Sequence, residues 1–227
     1  MDPRLCENLR MQGLVAIAQV KGGVGKSSLA VHLACAAHRA GDAVVLLDCD
    51  PQASATRWVQ RLGDPFPTVA PEPGDDPRGA TIEAVGRALD AGDLVIADPP
   101  PSSLDVLRVL LAVADAALIP AGAAAEELHL AARTLEVART ERAAMRRPPL
   151  DALLVATRVP VGTRAGRDAV ALLAEIGPTA EAVLHHRIAW IEAQTAGCTV
   201  WDLPASRHAD AQREASALID ETNQRFR

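Results

Sequence analysis

Lysine is almost missing from this chain. Of its 23 basic residues only Lys21 and Lys26 are lysines, and both fall in one stretch, QVKGGVGKSSLAVHLA. A chain that otherwise uses arginine keeps a compact ammonium on a flexible stem at two points of one loop. Aromatics are scarce too: there is no tyrosine, with two phenylalanines and three tryptophans, which reads as compositional bias without functional weight. The four cysteines, Cys6, Cys35, Cys49 and Cys198, are too widely spaced for a metal knuckle or a redox pair, so reduced, buried thiols are expected. No apolar run is long enough to span a bilayer, and the opening MDPRLCENLRMQG is polar and acid-bearing, unlike a secretory leader. A cytoplasmic chain is expected. The net charge of −6 excludes a surface that coats DNA uniformly. Positive charge is in excess only over residues 133–187, which hold 9 arginines against 6 acids.

What is present is a globular composition, 49% hydrophobic over 227 residues, enough for one domain with a sizeable core. Short apolar runs recur at Leu14–Val20, Ala43–Asp48, Leu94–Asp98, Ala116–Pro120, Ala152–Thr157 and, less clearly, Ala182–His185. Continuous apolar runs bounded by turn residues predict strands buried on both faces. Helical patterns over 27–40, 53–62, 80–91, 103–113, 125–146, 163–176, 188–196 and 206–224 lie between or after them. Alternating strands and helices imply an α/β fold, a mainly parallel twisted sheet with helices on both faces. Residues 63–79, GDPFPTVAPEPGDDPRG, predict a surface loop or short edge strand inside a single domain covering 1–227, with 1–12 as an N-terminal extension.

In such a sheet ligands bind beyond the carboxyl ends of the strands. Three polar segments stand there: Lys21–Ser28, Asp48–Gln52 and Asp98–Pro101. Gly22, Gly23 and Gly25 let backbone N–H groups turn onto anionic oxygens, and a helix starting at Lys26 adds its positive end. Lys26 would reach the phosphates and the Ser27 hydroxyl would bind Mg²⁺. The general pattern G-x-x-x-x-G-K-[ST] would put glycine at position 20, where this chain has Val20. Asp48 and Asp50 stand two apart at a strand end, so both carboxylates can face one ligand. The pair His185–His186 has no third ligand nearby and reads as surface decoration, while Trp190 and Trp201 read as core.

KGGVGKSS resembles the deviant phosphate loop (deviant Walker A) of the ParA/MinD family of P-loop ATPases, in which a lysine directly precedes the double glycine. VVLLDCDPQASATRW resembles that family's D-x-D-P-Q-G motif, with Ala53 where relatives often carry glycine, and DLVIADPPPSS resembles its Walker B strand. VATRVPVGTRAGRDAVALLAEIG and RIAWIEAQTAGCTVWDLPASRHADAQREASALIDE are similar to the C-terminal half of small ParA proteins that lack an N-terminal DNA-binding domain. ALIPAGAAAEEL departs from the family form, which has a second proline after the first.

The resemblance implies ATP and Mg²⁺ as cofactors. ATP would be cradled by Lys21, Gly22, Gly23, Val24, Gly25, Lys26, Ser27 and Ser28, with Gln52 near the water or metal shell and Thr157 and Arg158 near the adenine. Ser27, Asp48 and Asp98 would hold the metal, and Asp50 would orient the attacking water. Lys21 would cross a nucleotide-sandwich homodimer to the partner's phosphates. The activity implied is ATP hydrolysis that drives plasmid or chromosome partition on the nucleoid, with a centromere-binding, ParB-like protein as stimulator. Nonspecific DNA contact would fall to Arg158, Arg164, Arg167, Arg187 and Arg207. The alternatives are positioning of a protein cargo on the nucleoid, a MinD-type membrane switch, and a biosynthetic ligase or iron–sulfur reductase on the same scaffold. The tail carries little apolar bulk for a membrane helix, Cys35 and Cys198 form no cluster motif, and Lys21 argues against a ligase.

Overall fold

The structure is a computed structural model that describes residues 11–101 and 103–226. Cys6, nearly all of the expected N-terminal extension, and Ser102 lie outside the described residues. The chain alternates as β1 (Gly13–Ile17), α1 (Lys26–Ala40), β2 (Val44–Asp48), α2 (Ser54–Arg61), β3 (Thr68–Val69), α3 (Pro77–Ala91), β4 (Leu94–Asp98) and α4 (Leu104–Val113). It continues with β5 (Ala116–Ala121), α5 (Ala125–Ala144), β6 (Asp151–Val159), α6 (Arg164–Ala174), β7 (Thr179–His185), α7 (Ile188–Ala196), a 3-10 turn (Val200–Asp202) and α8 (Ala205–Arg225). Among the described residues the sheet has seven strands in the order β3-β2-β4-β1-β5-β6-β7, and each of their pairings is parallel.

Strand residues alternate between two cores, as a period of two requires. Val15, Ile17, Leu46 and Ile96 face α1, α2, α7 and α8. Leu14, Ala16, Val45, Leu47 and Ala97 face α3, α4, α5 and α6. Both faces are therefore covered, which is why the strands read as unbroken apolar runs. Full burial of a side chain such as Leu33, Leu46 or Ile96 contributes about 1.5–3 kcal/mol. Cys35 and Cys49 are buried free thiols, as expected, and Cys198 is half-buried. Among the described residues no helix is long and apolar enough to cross a membrane.

Three expected boundaries move. The first strand stops at Ile17 rather than Val20, because Ala18 and the residues after it lead into the loop below. The helix expected from residue 80 already begins at Pro77, where Asp76 accepts hydrogen bonds from the Arg78 and Gly79 N–H groups, and proline suits the first helical position. The last strand starts at Thr179 rather than Ala182. Within 63–79, Thr68 and Val69 pair with Leu46 and Leu47 as the short edge strand.

The other sheet edge is β7, and α8 covers it. Glu221 accepts from the Glu181 and Ala182 N–H groups at 2.8 and 2.7 Å. Glu214, two turns earlier on the same helical face, accepts from the His185 N–H at 3.0 Å. Two carboxylates thus occupy backbone donors that an edge strand otherwise presents to other chains.

Candidate functional site

The strand order reverses at β1, which lies between β4 and β5, so the connections leaving β1 and its neighbours diverge and open a crevice at their carboxyl ends. The loop after β1 fills that place. Its root is Gln19, fully buried, whose Nε2 donates to the Pro120 carbonyl at 3.3 Å and whose Oε1 accepts from the Val20 N–H at 2.8 Å. Gly23 and Gly25 have φ of 74° and 94°, the left-handed region where glycine carries no steric penalty.

The loop's carbonyls are turned to side-chain donors. Lys26 Nζ donates to the Lys21 carbonyl at 2.9 Å, Thr157 Oγ1 donates to the Val24 carbonyl at 3.0 Å, and the Arg158 guanidinium donates to the Gly23 carbonyl. The N–H groups of Gly23, Gly25, Lys26 and Ser27 have no hydrogen-bond acceptor among the described residues. Free donors gathered at the start of α1 make an anion cradle. Lys26 lies beneath it, 6% exposed. Burial pulls its ammonium below the usual lysine range, and Asp98 and Asp50 act against that shift. A polyanion in the cradle would supply further counter-charge.

Lys21 lies elsewhere. Its ammonium turns away from the loop interior towards the first turn of α5, 3.0 Å from Glu127 Oε1 and 3.6 Å from Glu126 Oε2.

The carboxylates divide by what they already bind. Asp48 and Asp98 are register partners on β2 and β4. Asp48 is well supplied: Oδ1 accepts from the Asp50 N–H at 3.1 Å, and Oδ2 accepts from the Thr56 N–H and hydroxyl at 2.8 and 2.9 Å. It anchors the entry to α2. Asp98 is 1% exposed and neither of its oxygens has a hydrogen-bond partner among the described residues. Burial pushes its carboxyl up to about 7; Asp48 and Asp50 add to the shift, while Ser27, without closing a hydrogen bond to either oxygen, and Lys26 oppose it. Two orphaned carboxylate oxygens, with the Ser27 hydroxyl close enough to affect them, suit a hard cation such as Mg²⁺. Asp50 is half-buried, with Oδ1 accepting from the Gln52 N–H at 2.9 Å, and Gln52 is exposed. Both line a groove of about 1000 Å³. Ala53 caps α2 with φ 48°, a left-handed conformation that costs an L-residue about 1–2 kcal/mol. The glycine expected at this point would adopt it freely.

A second cavity, about 220 Å³, opens from Gly23, Val24, Gly25 and Ser28 towards Thr157, Arg158 and Trp190. Thr157 and Arg158 thus reach the loop across 133 and 135 residues of sequence. Arg158 itself has φ 54°.

The other arginines separate. Arg164 and Arg167 lie exposed on α6 and Arg207 lies exposed on α8. Arg187 is committed to the fold: its guanidinium reaches Glu214 at 2.7 Å and Asp210 at 3.1 Å, so it is not the free cation that a phosphate contact would use. His185 is more than surface decoration, since its Nδ1 donates to Glu214 at 2.8 Å. Gln19, Thr56 and Glu127 join the site from the structure alone. A glutamine at the end of an apolar strand, which needs a buried partner, is the one sequence signal that points to any of them.

A parallel sheet with a glycine-rich anion cradle, a buried lysine under it and an orphaned carboxylate beside it defines a P-loop nucleotide-binding domain. The chain belongs to the CobQ/CobB/MinD/ParA nucleotide binding domain family, whose model matches residues 15–200. It is 38% identical over 132 residues to the chromosome-partitioning ATPase Soj of Thermus thermophilus, covering 47% of this chain and 53% of that one. It is 36% identical over 128 residues to the maintenance of carboxysome distribution protein A of Gloeobacter kilaueensis, covering 48% and 58%. The matches therefore span little more than half the length of these relatives. Cyanothece apo McdA superposes with a TM-score of 0.73 at 18% identity, covering 92% of this chain and 98% of that one, a likeness of fold. An ATP complex of a variant of that protein superposes at 0.70 and 17% identity, covering 93% and 96%.

Proposed function

We propose that this chain is a Mg²⁺-dependent ATP hydrolase that pairs with a second copy on ATP and drives segregation of plasmid or chromosomal DNA. One observation carries the reading: the two lysines face different ways. Lys26 is buried under its own loop, whereas Lys21 is turned away from that loop's interior onto Glu127 at the start of α5. That division suits one cation serving the nucleotide of its own subunit and the other reaching the nucleotide of a partner. A cation supplied in trans to a transferring phosphoryl group accelerates related reactions by roughly 10³–10⁵.

In this reading the loop N–H groups and Lys26 hold the polyphosphate, Ser27 and Asp98 hold Mg²⁺, and Asp48 fixes the segment that presents Asp50. Mg²⁺, when bound, neutralises charge on the phosphates. Asp50 orients the attacking water, Gln52 stands beside it, and Thr157 and Arg158 border the nucleoside cavity. The closed dimer binds nonspecific DNA through exposed arginines, and a centromere-bound, ParB-like protein stimulates hydrolysis and release.

Comparable identity to a partition ATPase and to a carboxysome-distribution protein supports a second reading, in which the same cycle positions a protein cargo. Capture of bound partners on an ATP-loaded, Asp50→Ala chain separates them: a DNA-binding partner favours the first, a shell or array protein the second. A membrane switch finds no support in α8, because Leu218 and Ile219 are 1% and 2% exposed within the core.

The test is ATP hydrolysis with and without nonspecific DNA. Lys21→Ala is expected to bind ATP yet lose stimulated turnover, Lys26→Ala to lose binding, and Asp50→Ala to accumulate the ATP-bound state. Equal stimulated turnover in Lys21→Ala and wild type would remove the trans role.

A further inference from the structure

The contact that holds Lys21 has a built character. Glu127 is the third residue of α5, and its side chain is 17% exposed. Its Oε2 accepts from the Gly122 N–H at 2.6 Å, which fixes the carboxylate across the turn between β5 and α5. α5 has no side-chain cap at Ala124, so this folded-back carboxylate is the group that sits in the favourable field of the helix start. Oε1 is left free for Lys21. Glu126 stands next to it but is 76% exposed and 3.6 Å from the ammonium.

We infer that Glu127 is a positioning residue that parks Lys21 in its own subunit and has to release it before Lys21 can serve a second copy of the chain. The inference rests on the trans role proposed above. Lys21 has one ammonium, its charge is already compensated by Glu127 at 3.0 Å, and a phosphate across an interface has to compete with that carboxylate for it. The resting pair and the crossed state therefore compete for the same charge. A polyphosphate, with more negative charge than one carboxylate, is the ligand that can draw the ammonium away. Glu127 thus discourages pairing of copies that carry no triphosphate and keeps unstimulated turnover low.

Two variants and a spectroscopic signal test this. Glu127→Gln keeps an acceptor for the Gly122 N–H and removes the charge, so folding, checked by thermal melting, should be retained. Its unstimulated ATP turnover and its ATP-dependent dimer affinity are expected to rise about two- to fivefold, the range that an exposed ion pair supplies. Glu126→Gln should change both less. In the Lys21→Ala/Glu127→Gln double variant the gain should vanish, since it acts through Lys21.

Because the chain has only two lysines, side-chain ¹⁵N labelling gives two ammonium signals, one of which disappears in Lys21→Ala. That signal should move in Glu127→Gln without nucleotide, and in wild type on addition of a non-hydrolysable ATP analogue. Turnover in Glu127→Gln at or below wild type, a gain that persists in the double variant, or a Lys21 signal indifferent to Glu127 would each overturn the inference. If these occur while Lys21→Ala still abolishes stimulated turnover, the latch fails and the trans role stands. If Lys21→Ala leaves stimulated turnover intact, the trans role fails first and the latch with it.

Discussion

His32 shows how one residue can tie the phosphate loop to the far layer of the molecule. It lies on α1 one turn after Ser28, buried, and its Nδ1 donates to the Ser28 carbonyl at 2.7 Å. Its Nε2 accepts from the Val200 N–H at 3.1 Å, so only the neutral ring with its proton on Nδ1 satisfies both contacts. All three tryptophans of the chain, Trp58, Trp190 and Trp201, surround it with ring centroids 5.5, 5.1 and 5.5 Å away. Burial holds the ring down at about 4; the Ser28 carbonyl and Asp202 act upward, and Arg39 acts downward. The folded value lies below the unfolded one near 6.5, so between them the unfolded chain binds the extra proton and stability falls as the pH falls. The contribution is whole above about pH 6.5 and is lost by about pH 4, a change on the order of 3 kcal/mol. Urea unfolding followed by tryptophan fluorescence should show this slope between about pH 6.5 and 5, and His32→Gln should flatten it. An unchanged slope in the variant would mean that other groups carry the pH dependence.

At the scale of elements, β7 depends on α8 for its finish. Glu221→Ala leaves the Glu181 and Ala182 N–H groups without their acceptor and is expected to cost about 1–2 kcal/mol. Hydrogen exchange at residues 181 and 182 should quicken by more than at Leu46 in the sheet; equal protection would show that α8 only covers the strand. The elements legible in the sequence are those buried on both faces, such as β2 and β4, because two apolar cores demand an unbroken run. β7 is legible only over its second half, since an edge strand alternates burial and its first residues look polar. β3 is two residues long within a proline-rich stretch and carries no period of its own. The phosphate loop is legible because anion binding restricts residue types over a few consecutive positions. Asp48 and Asp98 are legible as strand ends, but that one is well supplied with donors and the other orphaned depends on Thr56 and on burial. Glu127 is not legible as a partner of Lys21, because the pair meets across 106 residues of sequence.

For the whole molecule the question is how a chain of net charge −6 could hold DNA. One copy offers Arg164, Arg167 and Arg207 as exposed cations, while Arg187 is bound to Glu214 and Asp210. Each phosphate contact steepens the salt dependence of log K by about 0.9, so a few contacts give weak binding that moderate salt removes. In the dimer proposed above, pairing would double the number of contacts on one ligand, and affinity would then rise far more than twofold because the second set binds at high local concentration. DNA affinity is therefore expected to need ATP, and to fall steeply with salt. Arg164→Ala or Arg167→Ala should reduce the slope by about 2 per dimer, one contact from each copy, without changing the melting temperature. Arg187→Ala should do the reverse: it leaves Glu214 and Asp210 without their cation, lowers the melting temperature, and alters the slope little. Binding titrations at several salt concentrations, with and without ATP, measure the slope, and thermal melting measures the rest. If Arg187 rather than the α6 arginines set the slope, the DNA-facing surface would lie at the end of β7 instead, and the ion pairs with α8 would have to open whenever DNA binds.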